Sequence, residues 1–278
     1  MHTRRFLATV AVLLHLSFVA GCHSSDRPAA ARTSEWQPLF NGRDLSGWYT
    51  NLKGLGKDND PNHIFQVHDG MIHIYRDAAD QSQQPFGYLC TVKDYGDCRI
   101  RFDVKWGEKR FGSRSDKRRD SGCLYFVWGE DPAADAKSIW PKSIECQIQE
   151  NDFGDVYAIG TGCSTTVDPA TKNEKQPTWK DATAGGVPWT TPDTGNDRIV
   201  RSVMLEKPRG EWNTVEIVIR GGVAAHIING TTSMKIDHVT HRDASDPNKR
   251  VPVTRGRILF QAEGAEVMYR NIEISEGN

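Results

Sequence analysis

The chain has 278 residues, 37% of them hydrophobic, and carries 35 lysines and arginines against 36 aspartates and glutamates, a formal net charge of −1. So even a balance excludes the broad positive field that nucleic-acid binding requires. The one basic cluster, 109–119, is rich in Gly and Ser and reads as a solvated loop.

In chain order, Arg4 and Arg5 come first, ahead of an apolar run over 6–19. That run is too short to span a bilayer comfortably and reads as a secretory signal. It ends in Val19-Ala20-Gly21-Cys22, which resembles the bacterial lipobox. The resemblance implies a lipoprotein signal peptide over 1–21 and lipid attachment at Cys22, which would anchor the chain at the cell envelope, periplasmic or cell-surface. The alternative is a plain signal peptide cut nearby. Residues 22–34 are polar and Ala-rich, as in a flexible tether. Residues 35–278 are long enough for one domain with a sizeable core.

From there the periodicity is two. Strands are expected at 65–67, 71–75, 88–92, 98–106, 122–128, 143–149, 213–220, 223–228, 256–261 and 266–274, with turn signals such as His68-Asp69-Gly70, Gly221-Gly222 and Asn229-Gly230 between them. No segment has a sustained helical period. Many short strands with regular turns predict an all-β sandwich or jelly roll of antiparallel sheets. The stretch 164–201 shows no strand pattern and reads as a long loop; its Trp179 and Trp189 either stack on sugar rings or pin the loop to the sheet.

Five cysteines follow Cys22, at 90, 98, 123, 146 and 163, without a CxxC spacing. Cys123 and Cys146 read as small core residues, and Cys90 and Cys98 are candidates to pair across a hairpin. His63, His73 and His226 stand alone, with no HxH or HExxH spacing, and read as structural or surface residues.

The segment 143–150 alternates strictly. Ile144, Cys146 and Ile148 face one way, and Ser143, Glu145, Gln147 and Gln149 the other. A carboxylate flanked by amides on a sheet face can bind sugar hydroxyls and move a proton. Arg257, Leu259, Gln261 and Glu263 share a face on a second strand by the same rule.

Several stretches, in order, resemble the 3-keto-disaccharide hydrolase domain family. They are Trp36-Gln37-Pro38-Leu39-Phe40-Asn41-Gly42, Arg119-Asp120-Ser121-Gly122, Trp140-Pro141-Lys142-Ser143-Ile144-Glu145-Cys146-Gln147, Gly210-Glu211-Trp212-Asn213 and Gly256-Arg257-Ile258-Leu259-Phe260-Gln261-Ala262-Glu263-Gly264. The resemblance implies a concanavalin A-like jelly roll with one concave sheet, and hydrolysis of glycosides oxidised at carbon 3, by elimination and then hydration. Asp120 stands where many members carry Asn, and Glu263 where many carry His. Glu145 is expected as general base or metal ligand with Glu263 as its partner. Gln147 and Gln261 would bind hydroxyls, while Arg119 and Asp120 would contact substrate at the rim. The resemblance allows a divalent metal, with Glu145 and Asp120 as candidate ligands. The expected partner is an oligosaccharide or other glycoside. A carbohydrate-binding envelope lipoprotein without catalysis is the alternative, and an envelope protein binding a peptide or partner a third reading.

Overall fold

The computed structural model describes residues 35–277 except Asp193 and Pro247. The signal, tether and Cys22 expectations lie outside the described residues. All ten expected strands are present, within a few residues of their expected ends. They belong to two antiparallel sheets packed face to face. The eight-stranded sheet runs Asn196–Ile199, Val156–Ile159, Ser143–Gln147, Gly122–Val127, Arg257–Ala262, Gly87–Thr91, Trp48–Leu52 and Gly56–Lys57. The eleven-stranded sheet is built around the long strands Cys98–Arg110, Ala265–Glu276 and Thr231–Arg242. Two short 3-10 turns, Gly112–Arg114 and Ala182–Ala184, are the helical elements among the described residues. The fold is the expected concanavalin A-like jelly roll.

Alternation sorts each strand into a core side and an outer side. Ile144, Cys146 and Ile148 join Tyr125, Val156, Ala158 and Phe260 in the core between the sheets. Phe260 packs against Trp48, Phe102 and Tyr269 with ring centroids 5.8, 5.0 and 4.6 Å apart. The Tyr269 hydroxyl is tied to Ser121 Oγ at 2.6 Å, and Ser121 Oγ donates to the Gln261 carbonyl at 2.8 Å. Two neighbouring strands are thereby pinned from beneath, next to Asp120 and Gly122.

Three expectations are corrected. The stretch 164–201 is not a structureless loop: it holds most of Gly162–Val167, all of Val187–Thr190 and Asn196–Ile199, and the second 3-10 turn. Its inward positions are Thr165 and Asp197 as well as Val167 and Ile199, so polar residues mask the alternation. Pro188 sits in Val187–Thr190, which pairs on one side only, where the missing N–H costs no ladder bond. Trp179 is buried in the core, while Trp189 is half-buried against it. Cys90 and Cys98 do not pair; all five described cysteines are free and buried. Cys90 belongs to the eight-stranded sheet and Cys98 opens a strand of the other, so no hairpin brings them together. The 109–119 segment is not simply solvated, because Lys109 Nζ donates to the carbonyls of Tyr75 and Ala78 at 3.2 and 3.1 Å.

His226 is a structural histidine. Tyr125 Oη lies 3.0 Å from Nε2, and Nδ1 faces the Gly154 carbonyl at 3.3 Å, a pairing satisfied by the Nδ1–H tautomer of the neutral ring. Burial depresses its pKa to about 4. A folded pKa below the unfolded one gives stability that is present above pH ~6.5 and lost as pH falls toward the folded value. Wild type is therefore expected to lose on the order of 3 kcal/mol between pH 6.5 and 4 from this group. Urea unfolding of wild type and His226→Gln across that range checks it; an unchanged acid limb in the variant would contradict it.

Candidate active site

The outer side of the eight-stranded sheet is apolar at one end and acidic at the other. At the apolar end Tyr49, Tyr88, Leu124 and Leu259 cluster. There the two tyrosine hydroxyls and Arg257 Nη1 all meet Asp131 Oδ1, at 2.7, 3.0 and 2.9 Å. Arg257 is thus spent on closing that end.

The other end holds a cleft of about 390 Å³ lined by Arg114, Asp120, Trp140, Glu145, Gln147, Gln149, Tyr157, Asn196, Gln261 and Glu263, among others. Antiparallel register brings these side chains together. Gly122 stands opposite Gln147 and Leu124 opposite Glu145 on one side, while Cys123 stands opposite Phe260 on the other. The floor is open because Gly122 has no side chain: a Cβ there would lie 2.2 Å from Glu145 Oε1 and 2.6 Å from Gln261 Oε1. Those two oxygens and Asp120 Oδ1 are buried without a hydrogen-bond partner among the described residues. Unsatisfied buried acceptors cost stability, a cost that a bound group donating to them would offset.

The acids are bridged by an arginine. Arg114 Nη2 donates to Glu263 Oε1 at 2.7 Å and also contacts Asp120 Oδ2. Gln149 Nε2 donates to the same Asp120 oxygen at 2.6 Å. Gln147 Oε1 accepts from the backbone N–H groups of Ile148 and Gln149, at 2.7 and 2.9 Å, which fixes its orientation at the strand end.

Burial raises all three carboxyl pKa values. Glu145 is pushed well above its ordinary value by burial and then by the charges of Glu263 and Asp120. Glu263 is pushed to about 8 by burial and by Asp120, with Arg114 opposing. Asp120 is raised by burial, again against Arg114 and the Gln149 hydrogen bond. Burial and crowding thus favour the protonated form of Glu145 and Glu263, while Arg114 and Gln149 favour the charged form of Asp120 against its burial.

The sequence-predicted residues Glu145, Glu263, Asp120, Gln147 and Gln261 all line this cleft. Arg119 does not. Its Nη1 binds Glu150 Oε1 at 3.0 Å and its Nη2 donates to the Glu108 carbonyl at 2.7 Å, so it holds neighbouring segments together. Arg114, Tyr157 and Asn196 escaped sequence reasoning. Tyr157 lies on a four-residue strand whose Val-Tyr-Ala-Ile pattern was the one available signal. Arg114 had none, being one cation in a Gly- and Ser-rich run.

The residues present do not fit a divalent metal. Among the described residues no three His, Cys, Asp or Glu side chains are grouped to hold one. The space between Asp120 and Glu263 is taken by the Arg114 guanidinium, whose charge would repel a cation.

A family model for the 3-keto-alpha-glucoside-1,2-lyase-like domain matches residues 35–275. Among solved structures, the chain is similar to a candidate glycosyl hydrolase from Parabacteroides distasonis, at 21% identity over 87% of this chain and 94% of that one, with a TM-score of 0.51. A second candidate glycosyl hydrolase from the same organism is 18% identical over 87% of this chain and 99% of that one, with a TM-score of 0.46. No curated protein matches the chain.

Proposed function

Because the chain belongs to the 3-keto-alpha-glucoside-1,2-lyase-like domain family, a carbohydrate-active group, we propose that it cleaves glycosides oxidised at carbon 3 by elimination followed by hydration. The observation that carries the reading is the group of three buried carboxyl groups, with raised pKa values, around a glycine-floored cleft. Perturbed acids gathered in a cleft are the mark of proton-transfer chemistry.

A ketone at C3 makes the C2 proton acidic, since the electron pair left on C2 delocalises onto the ketone oxygen. Asp120 is the base: it takes that proton, and the neutral Glu263 beside it keeps the pair from carrying two charges. The enolate then collapses, C1=C2 forms and the C1–O bond breaks. Glu145, whose protonated form burial favours, gives its proton to the departing oxygen. In the second half, Glu145 takes a proton from water as the water oxygen bonds to C1. The proton on Asp120 goes to C2, and every carboxyl group regains its starting state. Glu145, expected from the sequence as general base or metal ligand, thus becomes the acid. Gln147 and Gln261 orient the sugar hydroxyls. Ordinary glycosidases instead use two carboxyl groups flanking an oxocarbenium ion.

The sequence signals add a location: the domain would work outside the cytoplasm, tethered through Cys22 at the envelope, on oligosaccharides or other glycosides reaching it there.

Purified protein incubated with aryl and disaccharide 3-keto-glucosides is expected to release the aglycone. Glu145→Gln should lower turnover by about 10²–10⁴-fold while sugar binding survives. The same variant should be more stable than wild type near neutral pH. A carboxyl group whose folded pKa is raised gives stability that is present below its ordinary value of 4.5 and lost as pH rises, whereas glutamine loses nothing. Sugar binding by wild type with no release of aglycone would make the domain a binding module instead.

A further inference from the structure

The proposed reaction leaves one charge unanswered. As the C2 proton departs, negative charge builds on the ketone oxygen at C3, which needs a cation or a strong donor. The geometry points to Arg114: we propose that its guanidinium occupies the place of a metal ion in the cleft and binds the developing enolate oxygen. This inference rests on the elimination reading above.

Arg114 is held as a built part of the site. It ends the 3-10 turn Gly112–Arg114, and its N–H donates to the Phe111 carbonyl at 3.0 Å, while the Phe111 N–H donates to the Gly264 carbonyl at 2.9 Å. Gly264 follows Glu263 directly. A Cβ on Gly264 would meet Arg114 Cβ and Cγ, both at 2.9 Å, so the arginine stem lies on the turn that carries the acid. Gly264 also has φ +77°, a left-handed conformation that suits glycine. The turn thereby fixes acid and cation relative to each other.

The contacts to Glu263 and Asp120 both run through Nη2. A guanidinium carries five N–H donors in a rigid fork, so its other donors remain for a ligand oxygen. The side chain is 21% exposed and lines the cleft. The substrate's chemistry demands this adjacency. The C2 proton and the C3 oxygen sit on neighbouring carbons, so the base and the enolate's partner must stand side by side, as Asp120 and Arg114 do. The leaving oxygen on C1 lies on the far side of C2, which matches a separate acid, Glu145. A guanidinium serves at neutral pH without a metal because it is always charged.

The test uses the full chain as wild type, Arg114→Ala and Arg114→Lys. Turnover of a 3-keto-glucoside and exchange of its C2 hydrogen in D2O should both fall by about 10²–10³-fold in Arg114→Ala. Added guanidinium chloride should restore part of the loss, and Arg114→Lys should lie between. Wild-type turnover should be indifferent to EDTA. Independently of activity, calorimetric titration with Mn2+ should show no binding to wild type. It should show binding to Arg114→Ala, in which Asp120, Glu145 and Glu263 lose their cation, and this gain should vanish with Asp120→Asn added. EDTA-sensitive turnover restored by Mn2+, Mn2+ binding to wild type that Asp120→Asn abolishes, or a folded Arg114→Ala that keeps the wild-type exchange rate would each overturn the assignment. If wild type turns over no 3-keto-glycoside, the proposed function falls and the Mn2+ titrations alone decide the role of Arg114.

Discussion

Gly122→Ala is expected to leave a folded protein that has lost more than about 100-fold of its turnover. The backbone at Gly122 is not in the left-handed region, so alanine itself is unstrained there. The added methyl, however, would need the space of Glu145 Oε1, 2.2 Å away, and of Gln261 Oε1, 2.6 Å away. Both contacts are the far ends of flexible side chains. The structure can yield by swinging them aside, at an overpacking cost of about 1–3 kcal/mol. That movement takes the proton donor and a hydroxyl-binding amide away from the substrate. A displacement of about 1 Å at a reacting group is enough to cost 10²-fold. The measurement is aglycone release alongside thermal melting. Normal turnover in Gly122→Ala would show that Glu145 does not act from this position.

The largest loss of stability is expected at Asp155→Ala. Asp155 is fully buried just before the Val156–Ile159 strand. Its Oδ2 accepts from Arg198 Nε at 2.9 Å, and its Oδ1 accepts from the Arg201 backbone N–H and Nη1, at 2.9 and 3.0 Å. Arg198 and Arg201 are themselves mostly buried, so removing Asp155 leaves Asp152 as their one carboxylate, at 3.0 and 3.5 Å and already shared with Arg118 at 2.8 Å, with the Asn151 carbonyl as a further acceptor for Arg201. Breaking a buried ion pair from one side costs about 3–5 kcal/mol. The remaining Asp152 contacts place the expectation toward the lower end. The loss should reach the cleft as well. Arg198 lies over the Tyr157 ring, with its guanidinium carbon 5.4 Å from the centroid, and Tyr157 lines the cleft wall. Urea unfolding should thus show a lower midpoint, and the folded fraction a weaker affinity for sugar. Asp155→Asn should be almost as damaging, since an amide cannot neutralise two guanidinium groups. An Asp155→Ala protein of unchanged stability would mean that Asp152 alone balances both arginines.

The sequence by itself determined the class of fold, the ten strands with apolar alternation, and the face on which Glu145, Gln147, Gln261 and Glu263 lie. It could do so because a strand's side chains alternate by local geometry, and burial of one face selects apolar residues at every second position. Thr165 and Asp197 show where that signal stops: buried polar residues with hydrogen-bond partners look like loop residues in the sequence. Tertiary structure alone decided three things. It turned Arg119 away to Glu150 and brought Arg114, from a segment without periodicity, between Asp120 and Glu263. It opened the cleft floor at Gly122 through its register with Gln147. It also set the charge of the site, because a carboxyl group's pKa depends on burial and on the charges beside it. The charges beside Glu145 and Glu263, 25 to 149 residues away in the chain, meet them only when the sheets form.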